Sequence, residues 1–122
     1  MKLLIGLGVL AAMAAAASPA LAAGDAVRGK TVFAQCAACH SFNPAKNDPG
    51  PNLKGIVGRK SASVEDYIYS GAMKRSDVVW DESTLNAYLA NPRVVIPRTK
   101  MPFAGMPEPQ DRADLIAYLK TQ

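Results

Sequence analysis

Five consecutive residues, Cys36-Ala37-Ala38-Cys39-His40, constrain the architecture of this chain more than any other segment. They form the C-x-x-C-H pattern that is typical of covalent c-type haem attachment. Two thiols at this spacing add across the two vinyl groups on one edge of a porphyrin, and this places the adjacent imidazole under the iron. The segment therefore predicts one haem c, with Cys36 and Cys39 as thioether links and His40 as an axial ligand of the iron.

Three other kinds of site could use the same residues. A closed zinc site takes four Cys or His ligands, whereas two cysteines and one histidine supply only three. A thioredoxin-like redox pair is expected in a βαβ context, and the sequence shows no convincing strand alternation. A structural disulfide is compatible with an exported chain but gives His40 no role. Haem attachment is the interpretation that uses all three side chains.

The second axial ligand must come from elsewhere in the chain. His40 is the only histidine and there is no third cysteine, so methionine remains as the usual partner of an axial histidine. The five methionines are Met1, Met13, Met73, Met101 and Met106. The first two belong to the N-terminal segment, and each of the others could equally fill a core. Met101 is the best placed, because Pro97 and Pro102 hold its backbone extended. The residues alone leave Met73 and Met106 open.

The first 22 residues show the three regions of a secretory signal peptide. A positive start at Met1-Lys2 precedes an apolar run over residues 3–17, and the segment ends in the A-x-A pattern Ala20-Leu21-Ala22. The run is shorter than the ~20 apolar residues of a transmembrane span. We predict a cleaved signal peptide at 1–22 and a single domain at 23–122, located in the periplasm without stable membrane insertion. An uncleaved N-terminal anchor is the alternative.

Length and charge restrict the class of partner. The 122 residues suit one domain, and they include 14 basic and 10 acidic side chains. Without Lys2 the balance is 13 to 10, which gives a formal net charge of about +3. No basic stripe is interleaved with base-stacking aromatic residues, so nucleic acid is not an expected partner. A mildly basic protein suits weak, electrostatically steered encounters with acidic protein surfaces.

Apolar spacing at helical intervals dominates the remainder of the chain. Four helices are predicted. The first follows Gly24-Asp25, a short one runs from Ser63 to a stop at Gly71, the third runs from Asp81 to just before Pro92, and the last starts at Asp111. At the start of the last helix, Asp111 and Asp114 suggest a capping box. Two segments rich in proline and glycine, residues 42–60 and 91–109, separate them. Loops this long in a small domain are uncommon unless they serve a function or wrap something. The pattern predicts an all-α domain of 4-5 short helices, with long loops wrapped around one covalently bound haem.

From residue 24 onward the sequence resembles a class I cytochrome c, similar to the mitochondrial protein and its soluble periplasmic bacterial relatives. Besides the haem-attachment residues, the stretches that carry the resemblance include Gly50-Pro51-Asn52-Leu53, Gly58-Arg59-Lys60, Trp80, Tyr88-Leu89, Asn91-Pro92, Thr99-Lys100-Met101 and Asp114-Leu115-Ile116-Ala117-Tyr118. The resemblance implies the small cytochrome c fold, and it implies Met101 as the second axial ligand of the iron.

The resemblance also implies a set of haem contacts, made by Pro51, Arg59, Tyr69, Trp80, Tyr88, Thr99 and Phe103. The Pro51 carbonyl would accept a hydrogen bond from His40, while Tyr69, Trp80 and Arg59 would surround a haem propionate. Tyr88 and Thr99 would lie near the Met101 sulfur, and Gly29 would meet Tyr118 where the first and last helices cross. Two departures stand out. Met73 replaces an asparagine of the mitochondrial protein, which should make the pocket drier, and several lysines around the haem edge are absent.

By the same resemblance, the expected function is electron transfer without enzymatic activity. With both axial positions filled, the iron would exchange single electrons with membrane-bound or periplasmic redox proteins by outer-sphere transfer. These partners would dock weakly and transiently on a monomer at the exposed haem edge, aided by Lys54, Lys60, Arg93, Arg98 and Lys100. One alternative is an electron-transfer subunit of a larger oxidoreductase. Another is a haem peroxidase or gas sensor, which needs an open sixth position.

Overall fold

The structure is a computed structural model that describes residues 23–122, together with residues 3, 6 and 8–11. The predicted signal peptide at 1–22 lies largely outside the described residues. Five α-helices occur in the described part of the chain: α1 Ala26–Val32, α2 Gly71–Ser76, α3 Glu82–Ala90, α4 Pro92–Val95 and α5 Pro109–Leu119. A 3₁₀ turn, Phe33–Gln35, follows α1 directly. Within the same residues, β pairing is limited to an isolated bridge between Lys60 and Val79. The predicted all-α class with short helices is confirmed.

The crossing of α1 and α5 brings the two ends of the domain together. Asp25 caps α1 by accepting two of the helix's first backbone N–H groups, at 2.9 and 3.2 Å. At the crossing, a Cβ added to Gly29 would overlap the carbonyl oxygen of Asp114 and lie 2.8 Å from Cβ of Tyr118. The expected meeting of Gly29 and Tyr118 is therefore confirmed, and glycine is required there by the close approach of the helices.

Asp114 ties the two helices together from within α5. Its buried carboxylate accepts hydrogen bonds from the backbone N–H of Asp25 (2.8 Å), the guanidinium of Arg28 (2.6 Å) and the amide of Gln110 (2.9 Å). These donors lower the pKa of Asp114 to about 2. The carboxylate is therefore ionised at neutral pH and is fully engaged by protein donors.

The start of α5 differs from the prediction. The helix begins at Pro109, two residues before Asp111. Proline fits the first helical turn, because its missing N–H would be unpaired there and its φ is already helical. The Glu108 side chain caps the helix by accepting the N–H of Gln110 at 3.5 Å. The capping-box interpretation of Asp111 and Asp114 is therefore wrong, and Asp114 binds α1 instead.

The predicted helix over residues 63–71 is also wrong. This segment consists of turns and irregular backbone, and α2 begins where the prediction ends. Ser70 caps α2 by accepting the N–H of Met73 at 3.1 Å. Within this segment, the rings of Tyr67 and Tyr69 pack edge to face with centroids 4.7 Å apart. Helical periodicity does not indicate such a contact between residues two positions apart.

Helix α3 agrees with the prediction, whereas α4 was not predicted. Asp81 caps α3 by accepting the N–H of Thr84 at 2.7 Å, and the helix buries one apolar face, formed by Leu85, Tyr88 and Leu89. Pro92 then occupies the first position of α4. The proline that ends one helix therefore begins the next.

The hydrophobic core is built from α1, α3, α5 and the long loops. Its buried apolar residues are Val32, Phe33, Ile56, Trp80, Leu85, Tyr88, Leu89, Ile96, Met106, Leu115, Ile116 and Leu119. Apart from α4, the two long segments are loops as predicted. None of the helices in the described residues combines the length and apolar character needed to cross a membrane.

Candidate haem site

A cavity of about 460 Å³ is lined by residues from both long loops, α2, α3 and the haem-attachment segment. Its volume lies within the ~300–1,000 Å³ range of ligand pockets, and its lining is mainly apolar. All eleven site residues expected from the sequence line this cavity: Cys36, Cys39, His40, Pro51, Arg59, Tyr69, Trp80, Tyr88, Thr99, Met101 and Phe103. The fold therefore brings the whole expected set together.

The haem-attachment segment forms one tight turn after the 3₁₀ turn. The N–H groups of Cys39 and His40 both donate to the Cys36 carbonyl, at 3.1 and 2.9 Å. This turn places both thiols and the imidazole at the cavity wall. Burial raises the pKa of the Cys36 thiol, and the proximity of Cys39 adds to the shift.

The two cysteine side chains are separate in the structure. Neither thiol forms a disulfide within the described residues. The same part of the chain contains no cluster of three or more His, Cys, Asp or Glu side chains that could hold a metal ion. Two separate thiols at an apolar cavity fit covalent attachment of a haem.

The imidazole of His40 is oriented by the backbone of the first long loop. Its Nδ1–H donates to the Pro51 carbonyl at 2.8 Å, which leaves the lone pair on Nε2. Burial lowers the pKa of His40, although the hydrogen bond to Pro51 opposes this shift. The neutral imidazole is the form that binds a metal. Gly50 makes room for the ring, since a Cβ there would lie 2.6 Å from Cε1 of His40.

Two of the three candidate methionines line the cavity. Met106 is buried in the core, with 3% of its surface exposed, and does not line the cavity, whereas Met73 and Met101 do. The Tyr88 hydroxyl lies 3.9 Å from the Met101 sulfur and 2.9 Å from Oγ1 of Thr99. The backbone N–H of Met101 donates to the same Oγ1 at 3.4 Å. Tyr88 and Thr99 therefore hold both the sulfur and the backbone of Met101.

Polar donors interrupt the apolar wall of the cavity. Arg59 donates through Nη1 to the Lys54 carbonyl (3.0 Å) and through Nη2 to the Asn52 carbonyl (2.9 Å), but its buried Nε has no partner. Burial lowers the pKa of Arg59. The Tyr69 hydroxyl accepts the N–H of Val64 at 3.1 Å and can still donate its own proton. A buried donor without an acceptor is unfavourable, and the carboxylate of a haem propionate would satisfy it. The residues present therefore fit a haem.

Several residues of the cavity wall had no predicted role. Leu85 and Leu89 are one turn apart on α3, so the helical stripe could have indicated them. Leu53 and Ile56 come from the first long loop, where no periodicity marks a buried side chain. Trp80, which was predicted, is buried and packs against Tyr88 with ring centroids 5.0 Å apart.

Two of the expected docking cations are engaged within the chain. The Lys100 ammonium donates to the Ile68 carbonyl at 2.6 Å and lies 4.5 Å from the centroid of the Tyr67 ring. Lys60 forms an exposed ion pair with Asp77 at 3.1 Å. Lys100 therefore joins the segment that carries Met101 to the segment before α2.

The sequence model of the family described as Cytochrome c matches residues 26–122. This chain belongs to the cytochrome c family. Cytochrome c2 of Rhodomicrobium vannielii is 53% identical over 104 residues, which cover 84% of this chain and 83% of that protein. Cytochrome c2 of Blastochloris viridis is 48% identical over 120 residues, which cover 98% of this chain and 91% of that protein. The solved structure of cytochrome cH from Methylobacterium extorquens matches with a TM-score of 0.78 and 46% identity, covering 81% of this chain and 100% of that one.

These similarities establish the fold, the cofactor and the class of function. The chain has the class I cytochrome c fold and carries one covalently bound haem c. It is an electron carrier, and its relatives do not favour the interpretations as an oxidoreductase subunit, a peroxidase or a gas sensor.

Proposed function

We propose that this cytochrome c carries single electrons by outer-sphere transfer, with its iron held between His40 and Met101. The observation that carries the proposal is that one cavity gathers the His40 imidazole, the Met101 sulfur and both cysteine thiols. Histidine and methionine are an established axial pair in cytochromes c, and the thioether raises the reduction potential. Thioether links at Cys36 and Cys39 complete the attachment.

The side chains of the cavity orient and shield the cofactor, which supplies a one-electron Fe(III)/Fe(II) couple when bound. Pro51 fixes the ring of His40 and leaves Nε2 for the metal. Tyr88 and Thr99 hold Met101 in place. If His40 and Met101 both hold the iron, no open position on it would be left for a substrate. We therefore propose that the protein is not an enzyme.

The remaining cavity residues bind the periphery of the cofactor. Arg59, Tyr69 and Trp80 supply N–H and O–H donors for a propionate, and Phe103 contributes to the apolar wall. The unpartnered Nε of Arg59 supports this assignment most strongly, because it is a buried cationic donor at the cavity wall. The apolar lining excludes water and disfavours the more charged oxidised centre.

Redox proteins would dock near Cys36 and Cys39 through a small, transient interface with the monomeric protein. Of the expected steering cations, Lys54, Arg93 and Arg98 are exposed and take part in none of the ion pairs found among the described residues. These three charges are available for a partner. Lys60 and Lys100, which bind within the chain, contribute less.

The periplasm is the proposed location. Residues 1–22 combine a basic start, a short apolar run and an A-x-A ending, which support export and cleavage of a signal peptide. Membrane-bound and periplasmic redox proteins would then be the partners.

Two measurements on the purified holoprotein test the function. Carbon monoxide should bind the ferrous protein slowly or not at all if Met101 holds the iron. Rapid binding would favour a peroxidase or gas sensor.

The rate of electron exchange with an acidic partner protein should fall as the salt concentration rises. Arg93→Gln should weaken the dependence of this rate on salt. Lys120→Gln is the control and should leave the dependence unchanged, because Lys120 is already paired with Glu82 on α3. A rate that stays flat from low to high salt would rule out electrostatic steering.

A further inference from the structure

The side chain of Arg112 joins three parts of the fold. From α5, its Nη1 donates to the backbone carbonyl of Met106 at 2.6 Å, and its Nε donates to Oδ1 of Asn86 on α3 at 2.8 Å. A guanidinium keeps its charge throughout the accessible pH range. Hydrogen bonds from a charged donor are roughly twice as strong as those between neutral groups. Arg112 is therefore a permanent clamp between two helices and a loop.

The loop held by this clamp is the one that carries Met101. At its far end, the Met106 N–H donates to the Leu89 carbonyl of α3 at 2.7 Å, so both backbone polar groups of Met106 are bound. At its near end, Ile96 is 1% exposed and its carbonyl accepts the N–H of Thr99 at 3.0 Å. Met101 lies midway between these two anchors.

The two anchors limit how far the Met101 sulfur can move from the cavity. The contacts at the sulfur itself are weak, since the Tyr88 hydroxyl lies 3.9 Å away. The loop also has internal contacts, from Lys100 to the Ile68 carbonyl and from the Phe103 N–H to the Met101 carbonyl, and its two ends add to the stiffness that these contacts give. If the Met106 carbonyl were released, the second half of the loop would gain conformational freedom, and the state in which Met101 has left the iron would become more populated.

We propose that Arg112 is a positioning residue that keeps Met101 on the iron by clamping the end of its loop. The proposal rests on the assignment of Met101 as axial ligand. Loss of the clamp should raise the population of the open loop about tenfold, the factor that corresponds to one charge-assisted hydrogen bond. Cyanide can bind ferric iron only when the sixth position is vacated, so its association rate reports this population.

The test compares cyanide association with the unsubstituted ferric holoprotein, Arg112→Leu and Arg28→Leu. Arg28 is the matched control, because it also donates to residues of α5, Asp111 and Asp114, but holds α1 and not the loop. Arg112→Leu should accelerate cyanide binding about tenfold. Arg28→Leu should lower the free energy of unfolding and change the cyanide rate by less than about twofold.

The outcomes separate a positioning role from a structural one. An unchanged cyanide rate in Arg112→Leu, or equal acceleration by both variants, would overturn the proposal. If Arg112→Leu does not accumulate as holoprotein, the test uses Asn86→Ala, which removes one of the two acceptors of Arg112. A rise of about threefold in the cyanide association rate of Asn86→Ala would support the proposal, and an unchanged rate would overturn it. Absence of the sulfur-to-iron charge-transfer band in the unsubstituted protein would refute the Met101 assignment itself. Presence of that band with unchanged cyanide rates would refute only the role of Arg112.

Discussion

Replacing Gly29 with alanine would insert a methyl group at the closest approach of α1 and α5. The added Cβ would overlap the carbonyl oxygen of Asp114 and lie 2.8 Å from Cβ of Tyr118. Neither obstacle is the end of a flexible side chain, so the helices must separate by roughly 1 Å. A gap of this size removes about a quarter to a half of the dispersion attraction between the atoms it separates.

The expected cost is about 2–3 kcal/mol of the free energy of unfolding. Overpacking a well-packed interior costs about 1–3 kcal/mol, and overlap with backbone places this site at or above the upper end. Alanine has a higher helix propensity than glycine, and this offsets up to ~1 kcal/mol of the lost stability. Since a small domain unfolds in urea with a slope near ~1 kcal/mol per molar, the midpoint should fall by about 2–3 M.

Urea unfolding of the holoprotein, followed by circular dichroism, measures this shift. Gly71→Ala is the matched control, because a Cβ there meets only the flexible guanidinium of Arg75. The control should stay within about 0.5 kcal/mol of the unsubstituted protein. An unchanged midpoint for Gly29→Ala would refute the close helix crossing, and equal losses in both variants would assign the effect to alanine in general.

Three further predictions concern charged groups. Because the pKa of Asp114 is about 2 in the fold against an ordinary value of 3.8, its ionisation stabilises the protein above pH ~4 and this stabilisation is lost as the pH falls towards 2. We therefore expect the difference in the free energy of unfolding between the unsubstituted protein and Asp114→Asn to narrow below pH ~4, and urea unfolding at several pH values measures this difference. A difference that does not change with pH would contradict the prediction. Arg59→Leu should lower the free energy of unfolding by about 2 kcal/mol, since it removes two hydrogen bonds. It should also lower the reduction potential measured by voltammetry, since it removes a half-buried cation at the cavity. Lys100→Met should cost about 1 kcal/mol through its hydrogen bond and ring contact, whereas Lys54→Met, an exposed control, should change stability by less than about 0.5 kcal/mol.

The chemistry of the site was predictable because much of it is local in sequence. Cys36, Cys39 and His40 are adjacent, and the presence of a single histidine limited the other axial ligand to methionine. The residues alone could not choose among the remaining methionines, since that choice depends on which loop reaches the cavity. The resemblance to class I cytochromes c favoured Met101, and the structure places Met106 in the core.

Helix boundaries and long-range contacts were harder to predict. The last helix was predicted to start at Asp111, although Pro109 begins α5. The segment before α2 has turn and cap residues that suit a helix, but it forms turns and irregular backbone in which its tyrosines pack with each other. The contact of Lys100 with Ile68 joins residues distant in sequence, and the unpartnered Nε of Arg59 results from burial in the fold, so no local pattern marks either feature.

The near-infrared absorption of the ferric holoprotein tests most directly whether one iron is bound by both His40 and Met101. A thioether on ferric haem gives a sulfur-to-iron charge-transfer band. This band should be present in the unsubstituted protein and in Met73→Leu, whose side chain also lines the cavity, and absent in Met101→Leu. A band missing from the unsubstituted protein, or retained in Met101→Leu, would contradict the proposed ligation.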